Sequence, residues 1–139
     1  MRNTLFIAAL LLLSASARAD VLNVVIDVIH HVESGGATRG VPDGDNGRAI
    51  GPFQIHRAYW TDALRFDPSI GGRYEDCRDY AYARRVVEAY LRGYGARWVR
   101  TRNVQALCRI HNGGPNGWRR AATLPYWRKC RQVMAGRVP

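Results

Sequence analysis

The chain has 139 residues, 21 Lys and Arg against 11 Asp and Glu, and a formal net charge of +10 at pH 7. That length provides for one domain with one core, and no internal repeat, low-complexity tract or Pro- and Ser-rich linker indicates a second domain. The basic balance favours anionic partners, such as acidic membrane surfaces and the carboxylate- and phosphate-bearing polymers of cell walls.

Residues 1–19 have the features of a secretory signal peptide. Arg2 supplies the positive start, residues 5–13 the apolar segment, and residues 17–19 an A-x-A cleavage site. The apolar segment is too short to span a bilayer of about 30 Å as a helix. We therefore expect cleavage near Ala19 and a secreted or periplasmic domain of residues 20–139 that is not stably inserted in a membrane.

Cleavage also changes the charge balance. Loss of Arg2 and Arg18 lowers Lys and Arg from 21 to 19, so the mature net charge is +8. An exported protein does not meet intracellular nucleic acid, and we expect no nucleic-acid partner. A monomer is expected.

The segment DVLNVVIDVIHHVE, residues 20–33, predicts a helix at the centre of the fold. Its apolar residues lie on almost every side of a helix, whereas a surface helix has one apolar stripe. A buried strand is the alternative, but the length favours a helix. Gly35 and Gly36 end it, since glycine readily adopts the left-handed conformation that closes helices.

The middle of the chain predicts a hairpin and two helices. PDGDNG, residues 42–47, predicts a turn with short strands on either side. FQIHRAYWTDAL, residues 53–64, predicts a short helix, and DPSIGG, residues 67–72, a loop. From Glu75 to Trp98, apolar residues recur at helical spacing.

Two further helices are predicted near the C-terminus. NVQALCRIHNGG has Asn103 as its N-cap and Gly113 and Gly114 as its stop. TLPYWRKCRQVMAG has Pro125 in its first turn and Gly136 just past its end. Together the elements predict an α+β fold, rich in helices and with one small β-hairpin.

Cys77, Cys108 and Cys130 belong to a chain that is expected in an oxidising compartment. One disulfide and one free thiol is the simplest assignment, and three pairings are possible. We favour Cys108 with Cys130, since both lie on predicted C-terminal helices. The sequence has no C-x-x-C or H-E-x-x-H spacing, and we predict no metal site and no cofactor.

One segment of the sequence partly matches a metal-binding motif, the calcium-binding loop of the EF-hand. Asp43, Asp45 and Gly47 begin like an EF-hand. The sixth loop position should be glycine and is Arg48, and the twelfth should be a bidentate glutamate and is Gln54. Calcium is therefore not expected.

Glu33 is a candidate general acid because it lies at the C-terminal end of the first predicted helix. The partial negative charge of the helix C-terminus and desolvation by apolar neighbours both disfavour its charged form, as a general acid near neutral pH requires. The alternative is an ordinary glutamate that points into water, and the tetrapeptide ESGG alone does not exclude it.

Asp45 is a candidate for the opposite role. Gly44, Asn46 and Gly47 leave backbone N–H groups and water around it, so we expect it to stay ionised. Glycosidases need one protonated acid for the leaving oxygen and one carboxylate for the positive charge that develops at the sugar carbon. The alternative is simple turn chemistry, for which Asp-Asn-Gly is well suited, and for Asp45 taken alone it is the stronger interpretation.

Five segments together resemble the invertebrate-type (i-type) lysozymes of the lysozyme-like superfamily. They are ESGG at Glu33, an aspartate twelve residues later, GPFQIHRAYWTDA at 51–63, RIHNGGPNG at 109–117 and YW at 126–127. They occur in the family's order and span most of residues 20–139. The combination of GPFQI, YW.DA and HNGGP is specific, and it favours the catalytic interpretation over the alternatives.

The resemblance implies an antimicrobial hydrolase that cleaves the β-1,4 bond between N-acetylmuramic acid and N-acetylglucosamine in peptidoglycan glycan strands. It implies Glu33 as proton donor and Asp45 as nucleophile or ion stabiliser, with Asp43 as the fallback. The predicted substrate-binding residues are Gln54, Ile55, His56, Tyr59, Trp60, His111, Asn112 and Gly113.

The chain departs from the family in its cysteines. Gly36, Ile50 and Trp118 stand where i-type lysozymes typically have cysteine, so the family's disulfide bridges cannot be transferred and stability must come from packing. Two rival functions stay open. A lytic transglycosylase uses one acid and leaves 1,6-anhydro ends, and a cationic protein that binds cell walls can be antibacterial without catalysis.

Overall fold

A computed structural model describes residues 21–136 of the chain. The predicted signal peptide and its cleavage site lie outside these residues. No described helix is long and apolar enough to cross a bilayer. The described elements are α1 (residues 21–34), β1 (Ala49–Ile50), β2 (Ile55–His56), α2 (Arg57–Phe66), α3 (Tyr80–Tyr94), α4 (Ala96–Arg100), α5 (Val104–Gly113) and α6 (Leu124–Met134).

The helix-rich α+β fold is confirmed, and α1 lies at its centre as predicted. Four of its apolar side chains are at most 1% exposed: Leu22, Val25, Ile26 and Ile29. Each such burial contributes about 1.5–3 kcal/mol relative to an exposed side chain. Val24 is an exception and is 43% exposed. Gly35 and Gly36 follow the helix at φ 64° and 85°, which confirms the predicted stop.

The hairpin exists, but the prediction of its turn is wrong. Strands β1 and β2 pair antiparallel with Ile50 opposite Ile55, and residues 51–54 form the turn. At Gly51, φ is 73° and a Cβ would lie 1.9 Å from the carbonyl oxygen of Cys77, so the chain needs glycine there. The segment PDGDNG instead forms a separate turn that leads into β1, in which Gly44 and Ala49 exchange backbone hydrogen bonds of 2.8 and 3.1 Å.

Two predicted helices have different bounds in the structure. Helix α2 begins at Arg57 rather than at residue 53, because residues 55–56 pair with β1. The predicted helix from Glu75 to Trp98 is divided into a 3-10 segment and helices α3 and α4. Asp79 makes the first break, since its side chain accepts a hydrogen bond from the backbone of Tyr82 and so caps α3. The predicted loop at 67–72 contains a 3-10 turn, Pro68–Ile70.

Helices α5 and α6 agree with the prediction. The Asn103 side chain accepts a 2.9 Å hydrogen bond from the backbone N–H of Ala106 and caps α5. Gly114 follows α5 at φ 82°, and Pro125 stands in the first turn of α6. Helix α5 packs against α3 and α6, and its C-terminal turn reaches the same region as the C-terminus of α1.

Candidate functional site

A cleft of about 250 Å³ lies where the C-termini of α1 and α5 meet the hairpin. It brings together both predicted carboxylates, Glu33 from the end of α1 and Asp45 from the 3-10 turn that precedes β1. Its lining residues are Glu33, Asp45, Ala49, Gln54, His56, Tyr59, His111 and Asn112.

Glu33 is partly enclosed, with a side chain that is 19% exposed. Its Oε1 accepts a 2.8 Å hydrogen bond from the Tyr126 hydroxyl and lies 3.3 Å from Nε2 of His111. The sequence predicts apolar surroundings, and the two polar side chains next to this oxygen correct that expectation. Oε2 makes no hydrogen bond with the described residues, so it is the oxygen free to exchange a proton with a ligand.

His111 is oriented by Tyr59. The Tyr59 hydroxyl and Nδ1 of His111 are 3.0 Å apart, and the Tyr59 ring stacks on Tyr90 with centroids 3.5 Å apart. Burial, and then the nearby Tyr90 and Glu33, raise the pKa of Tyr59 well above its ordinary value. The hydroxyl therefore keeps its proton, and its hydrogen bond with Nδ1 holds the imidazole in place. Nε2 of the same ring then faces Glu33.

Asp45 has the polar surroundings that the sequence predicts. The Arg48 guanidinium donates a 2.8 Å hydrogen bond to Oδ1, and Nε2 of His56 lies 3.5 Å from Oδ2. The side chain is 43% exposed. Asp45 and Asn46 have φ values of 48° and 56°, a left-handed conformation that Asp and Asn tolerate better than most residues. The turn chemistry proposed as an alternative is therefore present together with a cleft-facing carboxylate.

Gln54 lines the cleft and also stabilises the two loops at its edge. Its side-chain amide donates to the carbonyls of Pro42 and Gly51 at 3.2 and 3.0 Å. These bonds tie the loop that carries Asp45 to the hairpin turn. Gln54 thus satisfies backbone groups and at the same time keeps the loop of Asp45 in place at the cleft.

Three predicted substrate-binding residues do not line the cleft. Ile55 is 1% exposed and packs in the core, because neighbouring strand residues face opposite sides and His56 takes the cleft side. Trp60 donates its indole N–H to the Tyr82 hydroxyl at 2.8 Å. Successive helix residues point about 100° apart, so Tyr59 and Trp60 cannot both face the cleft.

The third such residue is Gly113, and the fallback carboxylate also lies outside the cleft. A Cβ on Gly113 would lie 2.4 Å from the Thr123 side chain, so this residue faces the loop after α5. Asp43, the fallback carboxylate, is ion-paired with Arg78 at 2.6 Å and does not line the cleft. Asp45 is therefore the better supported second carboxylate.

Tyr126 is the functional residue that the sequence prediction omitted. It stands near the start of α6, 93 positions after Glu33, and no local pattern indicates that contact. Burial and the charge of Glu33 raise the pKa of Tyr126 well above its ordinary value, so its hydroxyl remains a donor. Its only signal was the YW pair that forms part of the family resemblance.

Phenylalanine at position 126 should lower kcat about tenfold, because the ionised form of Glu33 loses a charge-assisted hydrogen bond of about 1.5–3 kcal/mol. A general acid must be protonated to act, so the basic limb of the rate–pH profile should move to higher pH. The measurement is kcat against pH for Tyr126→Phe. Tyr94→Phe is the matched control, since it removes a hydroxyl–carboxylate bond to Asp62 outside the cleft. Equal profiles for the two variants would contradict the role of Tyr126.

A larger cavity of about 520 Å³ lies between α2 and α3. Its two carboxylates, Asp67 and Glu88, and its other lining residues all lie outside the five segments that carry the family resemblance. The smaller cleft therefore remains the candidate active site.

Comparison with known proteins finds relatives over most of the chain. A profile of the Destabilase family matches residues 25–133. The chain is 34% identical to Lysozyme of Ostrea edulis over 128 residues, covering 90% of each chain. It is 39% identical to Lysozyme 1 of Crassostrea virginica over 102 residues, covering 73% of this chain and 53% of that protein, about half of its length.

Two solved structures have a similar fold. The crystal structure of Tapes japonica lysozyme aligns with a TM-score of 0.66 and 28% identity, over 79% of this chain and 88% of that one. The structure of Aeromonas hydrophila PliI in complex with Meretrix lusoria lysozyme aligns with a TM-score of 0.64 and 30% identity, over the same shares.

Proposed function

Because the chain belongs to the Destabilase family, that of the invertebrate-type lysozymes, it is a glycosidase of the lysozyme type, and we propose that it hydrolyses the β-1,4 bond between N-acetylmuramic acid and N-acetylglucosamine in peptidoglycan. The observation that carries this proposal is the single cleft lined by Glu33 and Asp45. Glu33 is partly enclosed at the end of a helix, whereas Asp45 is more exposed in a turn, and the two carboxyl groups together supply the pair that a glycosidase needs.

In the proposed first step, Glu33 protonates the glycosidic oxygen from Oε2. Its other oxygen accepts a hydrogen bond from Tyr126 and lies beside His111, and these contacts fix the direction of the carboxyl group. Once the proton has left, the Tyr126 hydroxyl stabilises the carboxylate that remains. The leaving sugar thus departs as a neutral alcohol, which lowers the barrier to cleavage.

Asp45 is proposed to face the anomeric carbon as nucleophile or ion stabiliser. Arg48 donates a hydrogen bond to Oδ1 and His56 lies beside Oδ2, and these contacts hold the carboxylate at the cleft. We further propose retention of configuration. Glu33, now ionised, would then take a proton from the water that attacks the anomeric carbon and returns Asp45 to its free carboxylate.

The remaining lining residues are proposed to position the glycan. Asn112 is exposed at the end of α5, and its amide can both donate to and accept from an N-acetyl group. His56 and Gln54 lie at the hairpin side of the same cleft. Tyr59 acts through His111, because its ring is already stacked on Tyr90 and only its edge borders the cleft.

The products of peptidoglycan digestion test the reaction type. Hydrolysis should leave reducing N-acetylmuramic acid ends, whereas a lytic transglycosylase leaves 1,6-anhydro ends that are lighter by one water. Mass spectrometry of the released muropeptides, with and without borohydride reduction, separates the two outcomes. A digest dominated by anhydro ends, retained by Asp45→Asn, would overturn the proposed hydrolysis.

Export is proposed as well, with cleavage near Ala19, and it leads to a proposal for two of the three buried cysteines. Cys108 and Cys130 are thiols in the structure. The hydrogen bond between the two thiols, together with burial, raises the pKa of Cys108 well above its ordinary value. We propose that a disulfide-exchange oxidant of the exporting compartment takes two electrons and two protons from this pair. Pairing these two leaves Cys77, whose pKa burial raises to about 12, as the one cysteine without a partner.

The exported protein should have an intact mass two hydrogens below that of the reduced chain, and peptide mapping should link residues 108 and 130. The loop that this bridge closes corresponds to about 3 kcal/mol of stabilisation, so reduction should lower Tm by on the order of 10 °C. Cys77→Ala is the matched control and should leave the linked peptide unchanged. An unlinked pair in protein purified from the exporting compartment would contradict the disulfide.

A further inference from the structure

The charges of the chain are divided along its length. Residues 1–88 hold all 11 acidic residues and 10 of the 21 Lys and Arg, so residues 89–139 hold the other 11 basic residues and no acid. Helices α4, α5 and α6 all belong to this second part. Its positive charge therefore has no local compensation.

Among the described residues, acidic side chains of the first part pair with arginines of that part, except for Glu88, which pairs with Arg92. Asp43 pairs with Arg78, and Asp27 pairs with Arg84. Of the later basic residues, seven are exposed and make no ion pair with any residue in the range 21–136: Arg97, Arg100, Arg119, Arg120, Arg128, Lys129 and Arg131. These side chains are available to an external anion.

Two of these arginines stand at the ends of a row of aromatic rings. The guanidinium carbon of Arg97 lies 4.5 Å from the ring centroid of Trp98, the rings of Trp98 and Trp118 are 5.2 Å apart, and the guanidinium carbon of Arg119 lies 5.8 Å from the ring of Trp118. We call these four residues the Arg–Trp row. None of them lines the cleft.

The row combines two kinds of recognition. A guanidinium that rests on an indole face is oriented by the ring, yet keeps its N–H edges free to form paired hydrogen bonds with phosphate. Both indoles are half-buried, so they are rigid and expose part of an apolar face with which sugar or polyol carbons can make contact. A charged carbohydrate polymer presents both features.

We propose that the Arg–Trp row is a second binding site, separate from the cleft, for the phosphodiester-linked glycopolymers of bacterial walls, the teichoic acids. Phosphates that repeat along a flexible chain can contact Arg97 and Arg119 together, and the unpaired cations of α6 attract the same polymer at longer range. The partly enclosed indoles are poorly suited to insertion into lipid, and for that reason the wall polymer is favoured over an anionic membrane.

The first test uses the Glu33→Gln protein, so that binding is measured without digestion. Its affinity for purified Gram-positive walls should fall at least about tenfold when hydrofluoric acid has removed the teichoic acid. Soluble poly(glycerol phosphate) should compete with the intact walls. Equal affinity for stripped walls, or competition by anionic lipid vesicles but not by poly(glycerol phosphate), would overturn the proposal.

The second test compares two pairs of exposed arginines that carry the same charge. The double variant Arg97→Gln with Arg119→Gln should weaken binding to intact walls at least about tenfold. Each phosphate contact with a flexible polyanion contributes about 0.7 to the slope of log Kd against log salt concentration, so the loss of two contacts should lower that slope by about 1.4. Arg39→Gln with Arg73→Gln is the matched control, because both residues are exposed and lie in the acid-bearing part. A similar loss in the control pair would mean that net charge alone is responsible.

This site does not depend on the proposed reaction. Hydrolysis of a soluble, uncharged N-acetylglucosamine oligomer by a protein with native Glu33 should be unchanged in the Arg97 and Arg119 variant. If that oligomer and peptidoglycan resist cleavage while wall binding behaves as expected, the proposed hydrolysis fails and the second site stands.

Discussion

Glutamine at position 33 should lower kcat for peptidoglycan hydrolysis about 10³-fold, within the range found for loss of a general acid. The amide is nearly the same size as the carboxyl group, and its oxygen can still accept from Tyr126, but it has no proton of suitable acidity for the glycosidic oxygen. Release of reducing ends from purified peptidoglycan measures the effect. The Tm should change little, because the side chain stays in place.

Glu88→Gln is the matched control for this variant. Glu88 is also a helical glutamate with one strong partner, Arg92 at 2.8 Å, and it lies outside the cleft. Its activity should equal that of the native protein. Retention of more than a tenth of the native rate by Glu33→Gln would exclude Glu33 as the proton donor and leave wall binding as the explanation of any antibacterial effect.

Asparagine at position 45 should lower kcat by about 10²- to 10³-fold, the usual range for loss of one group that stabilises transition-state charge. Asparagine tolerates the left-handed conformation at this position, so the turn should keep its shape. The amide cannot balance the positive charge at the anomeric carbon, and the salt bridge to Arg48 is lost. Initial rates on peptidoglycan and a thermal melt measure activity and folding in the same preparation.

Asp43→Asn separates a catalytic from a local structural effect. It removes a carboxylate two residues away that is ion-paired with Arg78 and does not line the cleft. This variant should keep most of the native activity. The reverse ranking, with Asp43→Asn inactive and Asp45→Asn active, would transfer the second carboxylate role to Asp43. Proton NMR of the first product should show the retained anomer.

The two sites have different requirements of the enzyme. The cleft needs fixed donors around a small volume, and Tyr126, His111 and Tyr59 come from three different helices to supply them. The Arg–Trp row needs accessible cations, which stay available because the acids of the chain all precede residue 89. A wall polymer held at the row would keep the cleft close to its substrate between cleavage events.

Much of the fold could be predicted from the sequence, because its signals are local. The apolar residues of α1, the Asn103 cap of α5 and the Pro125 start of α6 act within a few residues of themselves. The family resemblance identified Glu33 and Asp45 as candidates, and the structure brings both to one cleft. These features depend on spacing and residue type, and the sequence contains both.

Only the tertiary structure decided which neighbours complete the site. The hairpin turns at residues 51–54, and its first residue must be glycine because the carbonyl of Cys77, far along the chain, leaves no room for a side chain there. Tyr59 faces the cleft while Trp60 turns away to Tyr82, and Tyr126 reaches Glu33 across 93 positions. Local spacing does not encode such contacts, since they arise only when separate helices pack against one another and bury their polar groups together.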